Sequence, residues 1–488
     1  MVFNSLAYAA FLPLAVVLCF LAPARRRWAV LLALSCLFYA WADPRLLLLL
    51  GADVAVGYGA GRALGALRRP AARRGVLAAG AAWLLGGLFL FKYLGFAART
   101  LAGLLGLAGL AWQPPAFSLV LPLGISFYTF QSLGYLIDVY RGTLPPERHP
   151  GYYALFVCFF PQLVSGPIGR GGDLLPQLHA EHAPDPARFT AGLQRILAGL
   201  FKKVVIADFL AGYVDSVFDS LTNQGGLTLI LAGVLYSFQL YCDFSGYTDM
   251  AAGSAQLLGI RLAENFQSPY FSRSIKEFWR RWHISLSRWF SEYLYIPLGG
   301  SRCPAPRHLA NLLLTFLASG LWHGAAWNFV LWGLYHGLWL CLETFTLPRV
   351  EALQARLPAP AGRLLAAGRT LTTFAAATAG WVIFRVNSLA DLGYFAANIT
   401  RGLNPLRLMA YAGAMGFTPA TLALAALLIG LLLAWDGCAL RRGDPFAVLG
   451  RAGRWPRRAV YYLLALAVLA AACSRPFGAT ADFIYFQF

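Results

Sequence analysis

Ser319-Gly320-Leu321-Trp322-His323-Gly324-Ala325-Ala326-Trp327-Asn328 sets an ionisable imidazole among aromatic and small residues inside a hydrophobic expanse. Leu309 to Leu321 before it and Phe329 to Leu340 after it are almost wholly apolar. One helix from Leu309 to Glu343 would be about 50 Å long at about 1.5 Å per residue, too long for a hydrocarbon core of about 30 Å. A break is therefore expected, and Gly320 and Gly324 are its natural place. The leading piece starts beside Arg302, Arg307 and His308. It covers about 18 Å before the break, which leaves His323 near the middle of a bilayer. An ionisable group at that depth is costly, and two readings stand: a functional residue, or a neutral core histidine bonded to a backbone carbonyl.

Composition agrees with a membrane setting. The chain of 488 residues is 59% hydrophobic and 12% charged, whereas soluble globular chains carry about 25% charged residues. The expected class is an all-α polytopic membrane protein. The net charge of +19 comes from 40 basic and 21 acidic side chains. In a soluble chain that balance would point to nucleic acid. Here the arginines fall in short loops between apolar runs, so they read as cytoplasmic loops facing anionic lipid, and no nucleic-acid partner is expected. The eight cysteines are scattered and form no CxxC, which predicts neither a disulfide framework nor a zinc site.

Leu6 to Leu21 precedes Arg25-Arg26-Arg27, the reverse of a cleavable signal peptide, so an uncleaved first helix is expected with the arginines inside. Trp28 to Trp41 and Leu46 to Gly61 form a hairpin around Asp43-Pro44. Val76 to Phe91, Leu101 to Trp112, and Phe117 to Leu136 follow as separate apolar runs. Tyr153 to Val164 leads into Ser165-Gly166-Pro167-Ile168-Gly169-Arg170-Gly171-Gly172, whose breakers predict a re-entrant or surface segment. Asp173 to Phe189 reads as a cytoplasmic loop. Arg195 to Tyr213, Leu227 to Leu240, Phe374 to Phe384, Thr418 to Trp435 and Val460 to Ala472 read as further crossings, with the arginine-rich loop from Arg441 to Arg458 inside. The sum is about eleven spanning helices plus re-entrant or interfacial pieces, in a single domain covering 1–488. Pro269 to Pro297 differs: Ile275, Trp279, Trp282, Leu286 and Trp289 or Phe290 recur at helical spacing, with Lys276, Arg280, His283 and Ser287 on another face. That pattern predicts a basic amphipathic helix at an interface.

Seven histidines are present, and only His323 and His336 lie in strongly apolar sequence. They stand about 220° apart around a helix, which argues against a shared metal site, and His336 is expected to be hydrogen-bonded within the bundle. His283 is either a solvated face residue or a second polar residue beside a buried channel. In the second case Arg280 and Arg281 would hold an anionic donor such as a nucleotide phosphate. Asp243 and Asp249 flank Ser245 in apolar sequence, and buried acids need partners; they tie helices together or line a substrate path. Asn328 is placed to orient an imidazole or to cap the next helix. No GxSxG elbow, Walker A loop or HExxH occurs, and His323 has Trp327 rather than an acid four residues on. A buried histidine base without a nucleophile suits transfer of a group from an activated donor to an incoming hydroxyl.

Several stretches together resemble the membrane-bound O-acyltransferase family, in its bacterial branch that acetylates exopolysaccharides such as alginate. They are Tyr241 to Asp249, Asn265 to Phe271, Phe278 to Ser287, Tyr295 to Ser301 and Gly320 to Gly324, with Phe160 to Pro167, Trp381 to Arg385 and the terminal Phe483 to Phe488. The core motifs span about 120–345 and the likeness nearly the whole chain. The resemblance implies His323 as the catalytic histidine, His283 as the second functional one and a central tunnel; Asp243, Ser245, Asp249, Arg280, Arg281, Trp322 and Asn328 are the candidate substrate or tunnel residues. It also implies a multi-pass protein of the bacterial inner membrane. The implied donor is a cytoplasmic thioester, acetyl-CoA, with no bound cofactor or metal. The implied partners are an exported polysaccharide, membrane lipid and a periplasmic SGNH-type acetyltransferase. Two alternatives remain: acyl or D-alanyl transfer from a carrier protein to a cell-wall polymer, and a transporter or flippase with broken helices around a central site.

Overall fold

The computed structural model describes residues 1–115, 121–474 and 483–484. The start of the run beginning at Phe117 and the end of the terminal motif, Tyr485 to Phe488, lie outside the described residues. What is described is helical, apart from one isolated antiparallel bridge between Phe266 and Trp282. Among the described residues five helices are long and apolar enough to cross a bilayer: Leu46–Ala66, Pro70–Leu107, Gly226–Leu257, Pro419–Arg442 and Arg454–Cys473. The two runs predicted after Arg74 are thus one helical stretch, continued through a wide turn at Phe89–Tyr93. No proline stands between Val76 and Trp112 to stop it.

The chain forms two compact units. The first holds Met1–Ile196 and Thr248–Ala263. In it, Leu6–Leu21 and Arg27–Ala40 follow the predicted bounds closely. Ser165, Gly166, Pro167 and Ile168 are buried, so the breaker-rich segment is covered by protein, as unpaired backbone requires. Gly124, at φ +75, lets the chain pass beside the Leu163 carbonyl, where any side chain would collide. The stretch predicted as a loop after Asp173 contains a helix, Gly171–His179, whose Leu174, Leu175 and Leu178 are buried on one face. That short period was hidden by the polar residues between.

The second unit, Leu197–Tyr247 and Glu264–Phe488, contains the central stretch. Helix Ala305–His323 runs through Gly320 and ends at His323; the chain reverses over Gly324–Ala326 and returns as Trp327–Arg356. Gly320 is therefore a contact and not the break. A Cβ there would strike the Phe329 carbonyl oxygen, and one at Gly333 would strike the carbonyl of Phe316. The two helices meet backbone to backbone, as small residues permit between membrane helices. The basic amphipathic segment is not one helix. It divides into Pro269–Phe271, Ile275–Arg281, Ile284–Phe290 and the wide turn Ser291–Tyr295. Ile275, Trp279, Trp282, Leu286, Trp289 and Phe290 are all buried, as the spacing predicts, and Lys276 and Arg280 are exposed.

Gly320→Ala and Gly333→Ala are each expected to lower the thermal stability of the detergent-solubilised protein, by about 1–3 kcal/mol for overpacking. Gly430→Ala, with nothing within 4 Å of the added atom, serves as the control and should match the parent.

Candidate active site

His323 closes its helix with its ring buried at 5% exposure. Three aromatic rings meet it edge-on: Trp322 and Trp332, each at 5.0 Å between centroids, and Phe384 at 5.5 Å. Phe384 sits near the end of helix Ala359–Arg385. Asn328 secures that end by donating from Nδ2 to the carbonyls of Phe384 and Val386, at 3.2 and 3.3 Å. It neither orients the imidazole nor caps the helix, whose N-cap is Ala326; it fixes the wall behind His323.

His283 falls at the joint between Ile275–Arg281 and Ile284–Phe290, in the left-handed conformation at φ 43, ψ 53. A continuous helix would have left it on the stripe of Lys276 and Arg280, seven and three residues earlier. The break turns it inward, to 1% exposure. Its ring lies against Phe244 at 4.7 Å and Trp322 at 5.9 Å. The ring centroids of His283 and His323 are 6.4 Å apart. Two imidazoles thus share one apolar, aromatic enclosure, with Trp322 touching both.

A cavity of about 550 Å³ runs beside this pair. Lys276, Arg280 and His308 are among its lining residues, and so are Leu286, three residues past His283, and Ser319, one turn before His323. Trp279, Leu312, Phe316 and Leu340 make it largely apolar. Neither histidine lines it directly. A second cavity of about 850 Å³ shares Lys276, Arg280, Leu347 and Glu351 with the first. Six cationic side chains line it, Arg273, Lys276, Arg280, Arg281, Arg369 and Arg441, against Glu277 and Glu351. Arg281 is held by Glu277 at 2.7 Å, whereas Arg280 has no ion pair among the described residues.

The model of the family MBOAT, membrane-bound O-acyltransferase, matches residues 149–360, which include both histidines and the lining of the first cavity. A probable alginate O-acetylase of Azotobacter vinelandii is 41% identical over 390 residues, covering 78% of this chain and 74% of the relative. A peptidoglycan O-acetyltransferase of Helicobacter pylori is 40% identical over 297 residues, 56% of this chain and 55% of its own. A teichoic acid D-alanyltransferase of Bacillus subtilis is 30% identical over 241 residues, 47% of this chain and 61% of its own. The chain belongs to the membrane-bound O-acyltransferase family. It is an O-acyltransferase, and its apolar helices make it a membrane protein.

In this acyltransferase the remaining predicted residues divide. Asp243 and Asp249 lie on one helix, Gly226–Leu257, yet belong to different units. Asp249 pairs with Arg195 at 3.1 Å within the first. Asp243 is fully enclosed in the second. Lys203 contacts it at 2.6 Å and Asp208 at 2.9 Å, and the Ile484 amide donates to its other oxygen at 2.8 Å. Asp243 is thus a structural tie between three segments, one residue before the Phe244 ring that backs His283. Ser245 is buried, and its hydroxyl has no hydrogen-bond partner among the described residues. His336 is not hydrogen-bonded as expected: its ring nitrogens have no partner among the described residues. It is enclosed by Trp279, Trp332 and Tyr335 at 4.9, 5.0 and 5.1 Å, because its helix faces an aromatic cluster with no carbonyl in reach. Sequence reasoning missed Lys203, Asp208 and Asn265, the last of which holds the His283 joint. Lys203 was visible as a cation inside an apolar run, but its partners come from segments 5 and 40 residues away.

Lys203→Met would leave Asp208 and Asp243 buried without their shared cation. Removal of one partner from a buried ion pair is expected to be strongly destabilising, about 3–5 kcal/mol, read as lower membrane abundance and thermal stability. Adding Asp208→Asn and Asp243→Asn to Lys203→Met should recover much of that loss.

Proposed function

We propose that this acyltransferase moves acetyl groups from a cytoplasmic thioester, acetyl-CoA, across the bacterial inner membrane to hydroxyls of an exported polysaccharide of the alginate kind. Delivery is direct or through a periplasmic SGNH-type acetyltransferase. The observation that carries the reading is the pair of buried imidazoles 6.4 Å apart in an aromatic enclosure. The two rings stand close enough for one reacting group at their edges to be served by both, the proximity that acid–base chemistry needs. The names of the relatives support the polymer acceptor, and those with the highest coverage support acetyl and alginate.

The chemistry then follows from the residues. The neutral imidazole of His323 takes the proton of the acceptor hydroxyl as its oxygen bonds to the thioester carbonyl carbon. The carbon–sulfur bond breaks, and the thiolate leaves with a proton supplied from the imidazole pair. His283, on the far side of the carbonyl, is suited to donate to its oxygen as charge develops. The apolar walls exclude water, which would otherwise hydrolyse the thioester. The first cavity suits a pantetheine arm, and the cationic one, which shares Lys276 and Arg280 with it, suits phosphates. Arg441 begins the arginine-rich loop that charge bias puts in the cytoplasm, which supports a cytoplasmic donor. An acyl carrier protein also presents a phosphopantetheine. The D-alanyltransferase among the relatives favours keeping that donor as the second reading.

His323→Ala is expected to remove polymer acetylation by at least about 100-fold at normal membrane abundance; retained acetylation would remove His323 from the reaction. His283→Ala should lower it equally or somewhat less. Arg280→Glu should raise the KM for acetyl-CoA about tenfold with kcat little changed, since one charge-assisted phosphate contact is worth about 1.5–3 kcal/mol. If membranes transfer label from an acyl carrier protein and not from labelled acetyl-CoA, the carrier reading replaces it.

A further inference from the structure

The backbone at His283 is held in a state its side chain disfavours. Among the described residues only Ser268 and His283 have a positive φ without being glycine. Such a conformation is disfavoured for any residue with a side chain and persists only where the surroundings enforce it. Here they are supplied by Asn265. Its backbone carbonyl accepts from the Ile284 amide at 3.0 Å. Its side-chain Oδ1 accepts from the Ser285 amide at 3.2 Å and from the Ser285 hydroxyl at 2.6 Å. Asn265 is completely buried. On the other side of the histidine the Gln267 amide donates to the Arg281 carbonyl at 3.0 Å, and Phe266 pairs with Trp282. Residues 265–267 thus act as a splint along 281–285. The Asn265 side chain occupies both donors of Ser285 that a continuous helix would direct elsewhere.

We infer that Asn265 is a positioning residue of the transfer reaction: its side-chain oxygen holds the turn that aims the His283 imidazole at His323. This rests on the reading of His283 as a participant in the chemistry. Without the splint, Ile275–Arg281 and Ile284–Phe290 can join as one helix. His283 then rotates toward the stripe of Lys276 and Arg280, away from Phe244 and Trp322.

The test uses the full-length protein in lipid nanodiscs, with acetyl-CoA as donor and kcat and KM measured separately. Asn265→Ala is expected to lower kcat about 10- to 100-fold, the size of effect that an ångström-scale misplacement produces, with the KM for acetyl-CoA within about twofold of the parent. Asn265→Asp, which keeps the accepting oxygen, should recover most of the rate. Ser285→Ala, which removes only the hydroxyl bond, should fall between. Adding Asn265→Ala to His283→Ala should cost nothing more. A well-folded Asn265→Ala with parental kcat, beside an inactive His283→Ala, would overturn the positioning role and leave the reading of His283 intact. Full activity of His283→Ala would overturn that reading itself. Should Asn265→Ala fail to fold, Ser285→Ala decides: a stable variant with parental kcat refutes the splint. A further rate loss in the double variant also refutes it, because Asn265 would then act independently of His283.

Discussion

Backbone contact between helices Ala305–His323 and Trp327–Arg356 is the constraint on which the site depends. Gly320 and Gly333 remove the side chains that would separate the two helices. Their approach puts Trp332 beside His323, at 5.0 Å. In lipid, apolar burial does little to hold helices together, because lipid tails are as apolar as leucine; close packing of small residues does that work. A methyl group at either glycine opens the pair at the point where the imidazole is enclosed.

The second consequence concerns irregular backbone. Unpaired amides and carbonyls are tolerated at membrane depth only where protein covers them. In the second unit two irregular pieces bear on the site, the reversal at Gly324–Ala326 and the joint at His283. The joint turns His283 off its helical stripe, and the reversal follows directly on His323 at the end of its helix. Each is also supported by an asparagine: Asn328 anchors the end of Ala359–Arg385 behind His323, and Asn265 grips the residues after His283. Ordinary amide side chains thus supply the rigidity that positions two polar rings among aromatic ones.

Charge is distributed by the same logic. The buried cation Lys203 is set between Asp208 and Asp243, where each ion has a partner and the Ile484 amide satisfies a further oxygen. Unpaired cationic charge, represented by Arg280, is kept at the cavity mouths. The cationic lining of the second cavity stands beside the largely apolar lining of the first, with Lys276 and Arg280 common to both.

The class of protein, the bounds of its first two apolar helices, the buried stripe from Ile275 to Phe290 and the candidacy of His323 and His283 are legible in the sequence. Those features are local: hydropathy, helical period and an ionisable residue in apolar surroundings are all readable along one strand of text. Only the folded chain decides that His283 leaves its helical stripe, that Gly320 is a contact and not a hinge, and that Asp243 braces Lys203. It also decides that His336 rests against tryptophans without a hydrogen bond. Each of these is set by a partner far along the chain, Asn265 for His283, Phe329 for Gly320 and Lys203 for Asp243. A side chain's environment in a folded helix bundle belongs to the neighbours that close packing brings to it, and periodicity carries no record of them.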